Sequence, residues 1–408
     1  MTFDFSPLLR DDLPKPAAPW GGFPQFNFVG GNNDERSVPV DALREAADTV
    51  LAREGATLGT YFLHSGPLGY LPLREFLVKK LKRYADITCT ADNILITSGS
   101  LQAIDLINGI FLDRGDTVIV EESNYGGVLS RLNSLGVNMI KIPVDGDGMR
   151  DDVLESELKR LADQGIKPKY IYTIPSIHNP TGTILSEARR RRMIALAQSY
   201  RVPIFEDECY SDLVWDQTRP PALRALDDSG LVIHVGSFSK CIAPALRVGY
   251  IVADWPVLAQ ILAVKADAGS GALEQMVLAE FCNKHFDDHV AALNKTLEAK
   301  LDTLIEALNA NFGTAADFQR PKGGIFLWVR LPDSVETTKL AAVAGAAGVA
   351  VNPGAEWSLG ADADHWIRIC FASPTHEELR AGMARLAEIC HAEFGTPSIS
   401  ANIARDNM

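Results

Sequence analysis

Short β-branched runs that alternate with helical periods constrain this chain more than any other feature. Apolar runs occur at 94–97, 117–121, 170–174, 203–206, 232–235 and 248–252. Between them lie stretches of helical spacing. Leu73, Phe76, Leu77, Leu81 and Tyr84 share one helix face, and 186–200 fills a later gap. Runs that are apolar throughout need cover on both sides, and helices between consecutive strands supply it. The pattern predicts an α/β fold built on a mostly parallel sheet flanked by helices.

After about residue 290 the texture changes. A helical stretch runs to 311. A glycine pair with an apolar run follows at 323–329, then a helix near 335–347, a run at 366–371 and a last helix from 375. This mixture predicts a smaller α+β domain, and 408 residues exceed what one core usually supports. The expected division is 1–60 as an N-terminal arm with part of the small domain, 61–289 as the large domain and 290–395 as the small domain. Residues 396–408 are expected to be a mobile tail. Residues 13–24, rich in Pro and Gly, read as an extended arm.

Charge and cysteine usage exclude several function classes. The net charge is −13, which suits no phosphate backbone. The one dense basic run, Arg189 to Arg192, precedes Met193, Ile194 and Leu196 and reads as a solvated helix face. Six scattered cysteines without a Cys-x-x-Cys pair read as reduced thiols. The start, Met1-Thr-Phe-Asp-Phe-Ser6, lacks a basic stretch leading into an apolar one, and no uncharged apolar run reaches the roughly 18 residues a bilayer span needs. The expectation is a cytoplasmic protein with no nucleic-acid partner and no membrane span.

Chemistry concentrates just past the strands. Ser237-Phe-Ser-Lys240 follows the run at 232–235, with Arg247 seven residues on. Ligand sites in open α/β sheets lie beyond the carboxyl ends of strands, where two hydroxyls and an arginine could hold a phosphate while the lysine forms an imine. Asp207 stands at another strand end, three residues before Tyr210, where a carboxylate can keep a pyridinium nitrogen protonated. Ile177-His-Asn-Pro-Thr-Gly182 offers Asn179 as a donor to a phenolic oxygen. Ser98-Gly-Ser-Leu-Gln102 joins a strand to a helix, whose N-terminal amides suit phosphate. Plainer readings stay open for each: a surface lysine, a solvated carboxylate, an Asn-Pro turn and a helix cap.

Taken in order, Asn179-Pro-Thr-Gly182, Asp207-x-x-Tyr210, Ser237-x-Ser-Lys240 and Arg247 resemble the class I and II aminotransferases, fold-type I enzymes that use pyridoxal 5′-phosphate. The likeness runs from about 30 to 392 and includes Gly69-Tyr-Leu-Pro-Leu-Arg74, Gly323-Gly-Ile-Phe-Leu-Trp328, Val351-Asn-Pro-Gly354 and Ile367-Arg-Ile369. It is strongest with the branch of aminoadipate and kynurenine aminotransferases. The resemblance implies a seven-stranded sheet like that of aspartate aminotransferase. It also implies transfer of an amino group from an α-amino acid to a 2-oxo acid, in a homodimer with composite sites.

Carried over, it makes Lys240 the imine lysine and proton shuttle. Asp207 pairs with the pyridine nitrogen, while Tyr210 and Asn179 hold the ring oxygen. Tyr125 stacks on the ring. Ser100, the Leu101 backbone, Ser237, Ser239 and Arg247 bind the phosphate, and Arg368 takes the substrate carboxylate, with Asn179 and Gly31 beside it. Tyr61, His64 and Tyr70 fall in the segment that crosses to the neighbouring subunit. Where the family often reads Gly-Gly-x-Pro this chain has Gly30-Gly-Asn-Asn-Asp34, and His64 stands where a tyrosine is usual.

Rival readings have less to stand on. Ser237-x-x-Lys240 also fits penicillin-binding hydrolases, but neither Ser-Asp-Asn nor Lys-Thr-Gly occurs. His285 and His289 lie one helical turn apart without an evident third ligand, so no metal is expected. A non-catalytic pyridoxal-phosphate regulator would need a DNA-binding domain before Gly30. Lyases, γ-replacement or cyclising enzymes and oxidases share the same core residues and stay open.

Overall fold

The computed structural model describes residues 3–9, 16–17, 19–216 and 218–397. Most of the expected tail, 398–408, and part of the expected arm, 13–15 and 18, lie outside the described residues.

Seven strands form the main sheet: β1 (Ile94–Thr97), β2 (Thr117–Glu121), β3 (Asn138–Ile142), β4 (Ile171–Thr173), β5 (Ile204–Asp207), β6 (Val232–Ser237) and β7 (Gly249–Val252). Their spatial order is β1-β7-β6-β5-β4-β2-β3. Strand β7 runs antiparallel to both neighbours, and every other adjacent pair is parallel. All residues of β1, β2 and β4 to β7 are buried, as strands covered on both faces must be. Strand β3 was not anticipated. It lies at the sheet edge with Asn138 and Lys141 exposed, so no apolar run announces it. Asp207, expected just past its strand, is the last residue of β5 and pairs in register with Val235.

The covering helices include α1 (Val40–Glu54), α2 (Leu71–Ala85), α3 (Gly99–Phe111), α4 (Gly126–Leu135), α5 (Asp151–Asp163) and α6 (Glu187–Tyr200). Helix α6 corrects the reading of the arginine run. At 100° per residue four consecutive side chains cannot share one face. Arg191 and Arg192 are exposed, but Arg190 is fully buried. Its guanidinium donates to the carbonyls of Leu185 and Pro175 and lies 3.5 Å from Glu208.

Helix α7 (Ala272–Phe312) spans 41 residues. No Gly or Pro interrupts it, so it continues through the division expected at 289/290 and links the two sheets. Beyond it a four-stranded antiparallel sheet follows: β8 (Asp317–Phe318), β9 (Phe326–Arg330), β10 (Asn352–Pro353) and β11 (Trp366–Cys370), in the order β8-β9-β11-β10. Helices α8 (Thr337–Ala346) and α9 (His376–Phe394) accompany it, α9 opening on a reciprocal cap between Thr375 and Glu378. Among the described residues no helix is long and apolar enough to cross a membrane.

One buried ion pair braces the loop that follows β5. Lys80 Nζ on α2 lies 2.8 Å from Asp212 Oδ1, and both side chains are nearly inaccessible. Burial alone would push the amine down, but the negative charge of Asp212 holds it above the ordinary lysine value. Asp212→Ala would leave a buried ammonium unpaired and should cost about 3–5 kcal/mol. The double change Lys80→Met with Asp212→Leu should recover most of that loss. Urea midpoints of the three proteins check this, and an Asp212→Ala protein of native stability contradicts it.

Candidate active site

Six parallel strands end on one edge of the main sheet, and five of them, all but β3, hand the chain to a segment that lines one cavity or holds its walls. The cavity has a volume of about 1050 Å³. After β1, Gly99 opens α3 with a positive φ of 74°. A Cβ there would sit 2.4 Å from Arg247 Nη2, so only glycine lets the guanidinium close over the helix start. Arg247 is fixed by the carbonyls of Ser98 and Pro244 at 3.1 Å each. Ser100, Leu101, Ser239 and Arg247 line this end of the cavity, where amides, hydroxyls and a cation suit a phosphate. Ser237 stays out of the cavity wall. Its hydroxyl instead accepts from the Ser239 amide at 3.1 Å.

Lys240, past β6, faces the cavity centre. Its Nζ donates to the Gly31 carbonyl at 2.6 Å and stands 5.9 Å above the Tyr210 ring. Burial pushes the amine below the ordinary lysine value. Its backbone is pinned as well: Asn33 Nδ2 donates to the Lys240 carbonyl at 2.6 Å, and His289 Nε2 meets the Cys241 carbonyl at 2.8 Å.

Asp207 is buried at 4% exposure, and burial pushes its carboxyl up. The Tyr172 hydroxyl donates to Oδ2 at 2.8 Å and the Cys209 amide to Oδ1 at 3.2 Å. The Asn179–Pro180 bond is cis. Asn179 Nδ2 donates to the Tyr210 hydroxyl at 3.2 Å.

Arg368 comes from β11, in the small sheet. Its guanidinium lies between two aromatic rings, 3.3 Å from the Trp357 centroid and 3.7 Å from that of Phe326. It donates to Asn352 Oδ1 at 2.7 Å, the Val29 carbonyl at 3.1 Å and Asn179 Oδ1 at 3.3 Å. All three acceptors are neutral, and Nε is buried without a partner among the described residues. Burial brings its pKa down to about 10. A buried cation with a donor to spare is a receptor for an anion.

The structure thus gathers Ser100, Leu101, Tyr125, Asp207, Tyr210, Ser239, Lys240, Arg247, Arg368 and Gly31 around one cavity, with Asn179 bridging Tyr210 and Arg368. It does not bring Tyr61, His64 or Tyr70 there. Tyr61 is 78% exposed, and Tyr70 is buried, its hydroxyl donating to Glu54 Oε1 at 2.7 Å within the chain. Sequence reasoning missed Cys209, which lines the cavity beside Asp207, and the roles of Trp357, Phe326 and Asn352 around Arg368. The strings around Phe326 and Asn352 were conspicuous, but Trp357 sits in a loop with no sequence signal.

Known proteins share both the sequence and the fold. Residues 25–386 match the family described as aminotransferase class I and II. The chain is 31% identical to aromatic-amino-acid aminotransferase 1 of Thermococcus litoralis, over 90% of this chain and 88% of that one. It is 33% identical to YdfD of Bacillus subtilis, an uncharacterised HTH-type transcriptional regulator, over 80% of this chain and 66% of that one. The fold superposes with a TM-score of 0.82 on α-aminoadipate aminotransferase of Thermus thermophilus complexed with N-(5′-phosphopyridoxyl)-L-leucine. Identity there is 29%, over 90% of this chain and 92% of that one.

The lowered Lys240 pKa has a thermodynamic consequence. In the unfolded chain the amine keeps its ordinary value of 10.5. Below the folded pKa the charged amine therefore costs stability in full. The cost shrinks as pH rises toward 10.5 and is gone above it, at about 1.4 kcal/mol per unit of depression. Lys240→Met should raise the urea midpoint of the ligand-free protein at pH 7 and lose that advantage above about pH 10.5. A difference that does not change with pH contradicts this.

Proposed function

The chain belongs to the class I and II aminotransferase family, and we propose that it carries out the family's reaction with Lys240, Asp207, Tyr210, Asn179 and Arg368 as its working residues. It is a pyridoxal-phosphate-dependent enzyme that moves the amino group of an amino acid to a 2-oxo acid. The residues present fit that cofactor. The Gly99–Arg247 cradle is anion-selective, and a Cβ would fill it. Asp207 is a buried carboxylate whose charge a cationic ring nitrogen would stabilise.

When bound, pyridoxal phosphate supplies the electron sink that the α-carbon of an amino acid lacks. Ser100, the Leu101 amide, Ser239 and Arg247 would hold its phosphate, with Ser237 fixing Ser239. Asp207 would keep a proton on the ring nitrogen, Tyr210 with Asn179 would hold the ring oxygen, and Tyr125 would cover the ring and exclude water. Arg368 binds and orients the substrate carboxylate. Lys240 Nζ, which burial pushes toward the neutral amine, would take the α-proton and hold it for return. The observation that carries this reading is Arg368: a buried guanidinium stacked between two rings, hydrogen-bonded only to neutral oxygens, across the cavity that Lys240 also lines.

The reading extends to a homodimer in which Tyr61 and His64 reach the neighbouring site. Its support is the exposed apolar outcrop of Leu58, Tyr61 and Phe62 beside His64. It extends also to a cytoplasmic location, on the strength of six free cysteines, and to a division into domains of 61–289 and 290–395 joined by α7.

A half-reaction tests the function. Holoenzyme mixed with a panel of amino acids and no acceptor should pass to the amine form of the cofactor and release one equivalent of 2-oxo acid. A lyase, replacement enzyme, oxidase or regulator would not. Arg368→Lys keeps the charge but loses the two-pronged geometry. It should lower kcat/KM about ten- to a hundredfold, the worth of a charged hydrogen bond, with cofactor affinity little changed. An unaltered kcat/KM removes Arg368 from the carboxylate site.

A further inference from the structure

Glu121, the last residue of β2, is a buried carboxylate that none of the roles above uses. It is 2% exposed. A carboxylate so placed persists only when donors surround it. Oε1 accepts from Thr173 Oγ1 at 2.6 Å. Oε2 accepts from the Ile174 amide at 3.0 Å and Asn124 Nδ2 at 3.3 Å. His178 Nε2 lies 3.2 Å from Oε2, close enough for an ion pair but off the line of an aligned hydrogen bond.

Thr173 ends β4, and Asn124 and His178 lie in the two loops that carry the ring-covering and carboxylate-binding residues. Asn124 precedes Tyr125 and accepts the Tyr125 amide at 2.7 Å on its own Oδ1. The Asn124 amide donates to the Trp357 carbonyl at 2.7 Å, and the Trp357 ring packs 5.8 Å from Tyr125 and directly on Arg368. On the other side His178 precedes Asn179, which receives Arg368 and donates to Tyr210. His178 Nδ1 is held at 2.8 Å from Thr181 Oγ1, which leaves Nε2 facing Glu121. The contacts close on themselves: Glu121 to Asn124, to Trp357, to Arg368, to Asn179, to His178 and back.

We propose that Glu121 is a positioning residue that sets the Arg368–Asn179 carboxylate clamp and the Tyr125 ring cover relative to one another, acting through Asn124 on one side and His178 on the other. A buried carboxylate that takes donors from both sides fixes the segments that supply them relative to one another. Replacing one Glu121 oxygen by an amide would point a donor at donors, and the two loops would lose their common anchor.

The inference rests on the site assignment above, so its test uses binding as well as turnover. Holoenzymes of the native chain and of Glu121→Gln are titrated with propionate, an amino acid's carboxylate without the amine. Binding is read from the cofactor's visible absorbance, and the circular dichroism of the cofactor band reports the ring's setting. Glu121→Gln should weaken propionate at least fivefold, alter the cofactor dichroism and lower kcat/KM, while retaining cofactor. A variant that only melts earlier, with native propionate affinity and dichroism, overturns the proposal. If Glu121→Gln does not fold, His178→Ala carries the test, because it leaves the other three partners of the carboxylate in place. It should weaken propionate at least fivefold, and His178→Gln, whose amide can still reach the carboxylate, should restore binding. Native affinity in His178→Ala overturns the proposal. Failure of the aminotransferase reading is seen separately, as absence of 2-oxo acid from the native protein whatever the propionate data show.

Discussion

Parallel pairing puts the carboxyl ends of neighbouring strands on one edge of a sheet, and the rest of this molecule follows from that constraint. Strands β1, β2, β4, β5 and β6 all point the same way, so Gly99, Glu121, Asn179, Asp207 and Lys240 are brought together although they are spread over more than a hundred residues of chain. Antiparallel β7 adds Arg247 by returning the chain beside β1 and β6. The small sheet supplies what this edge lacks, a cation placed across the cavity, through Arg368.

The charges that this arrangement buries are satisfied in two distinct ways. Those under the floor are paired. Arg190 lies against Glu208, His234 Nδ1 sits 2.9 Å from Glu206, and Lys80 meets Asp212. Those that face the cavity are not. Among the described residues no carboxylate pairs with Lys240 or Arg368, and Asp207 accepts only neutral donors. Unpaired buried charges are costly, and in each case the cost appears as a shift toward the neutral form. A cofactor with a cationic ring nitrogen and an aldehyde, together with a substrate that bears a carboxylate, answers all three. The unpaired buried groups thus mark the working site, while the paired ones hold it up.

Much of this was legible because strand-end chemistry is local. A β-branched run, the residues that follow it and their order along the chain are all visible in one dimension, which is why the segments around Lys240, Asp207, Asn179 and Ser100 could be singled out. What was illegible depends on phase or on tertiary contact. Arg190 turns inward because of helical rotation within a run of four identical residues. Strand β3 is half polar because it lies at an edge. Trp357 acquires its role from Arg368, more than ten residues away on another element, and Glu121 reads as the polar end of an apolar strand until three donors and the His178 imidazole are seen around it. Tyr70 stands out by its place in a motif, but its partner Glu54 lies on a helix with no motif at all.

The central claim is that Lys240 is the amine that holds the cofactor, and chemical trapping tests it most directly. Borohydride reduction of the holoenzyme fixes the cofactor to the amine that carries it, and proteolysis with mass spectrometry then identifies the labelled residue. The account predicts one pyridoxyl phosphate per chain, on the peptide containing Ser237-Phe-Ser-Lys240 and on Lys240 itself. A label on Lys80 or Lys265, or a reduced protein that releases all of its cofactor on denaturation, would contradict it.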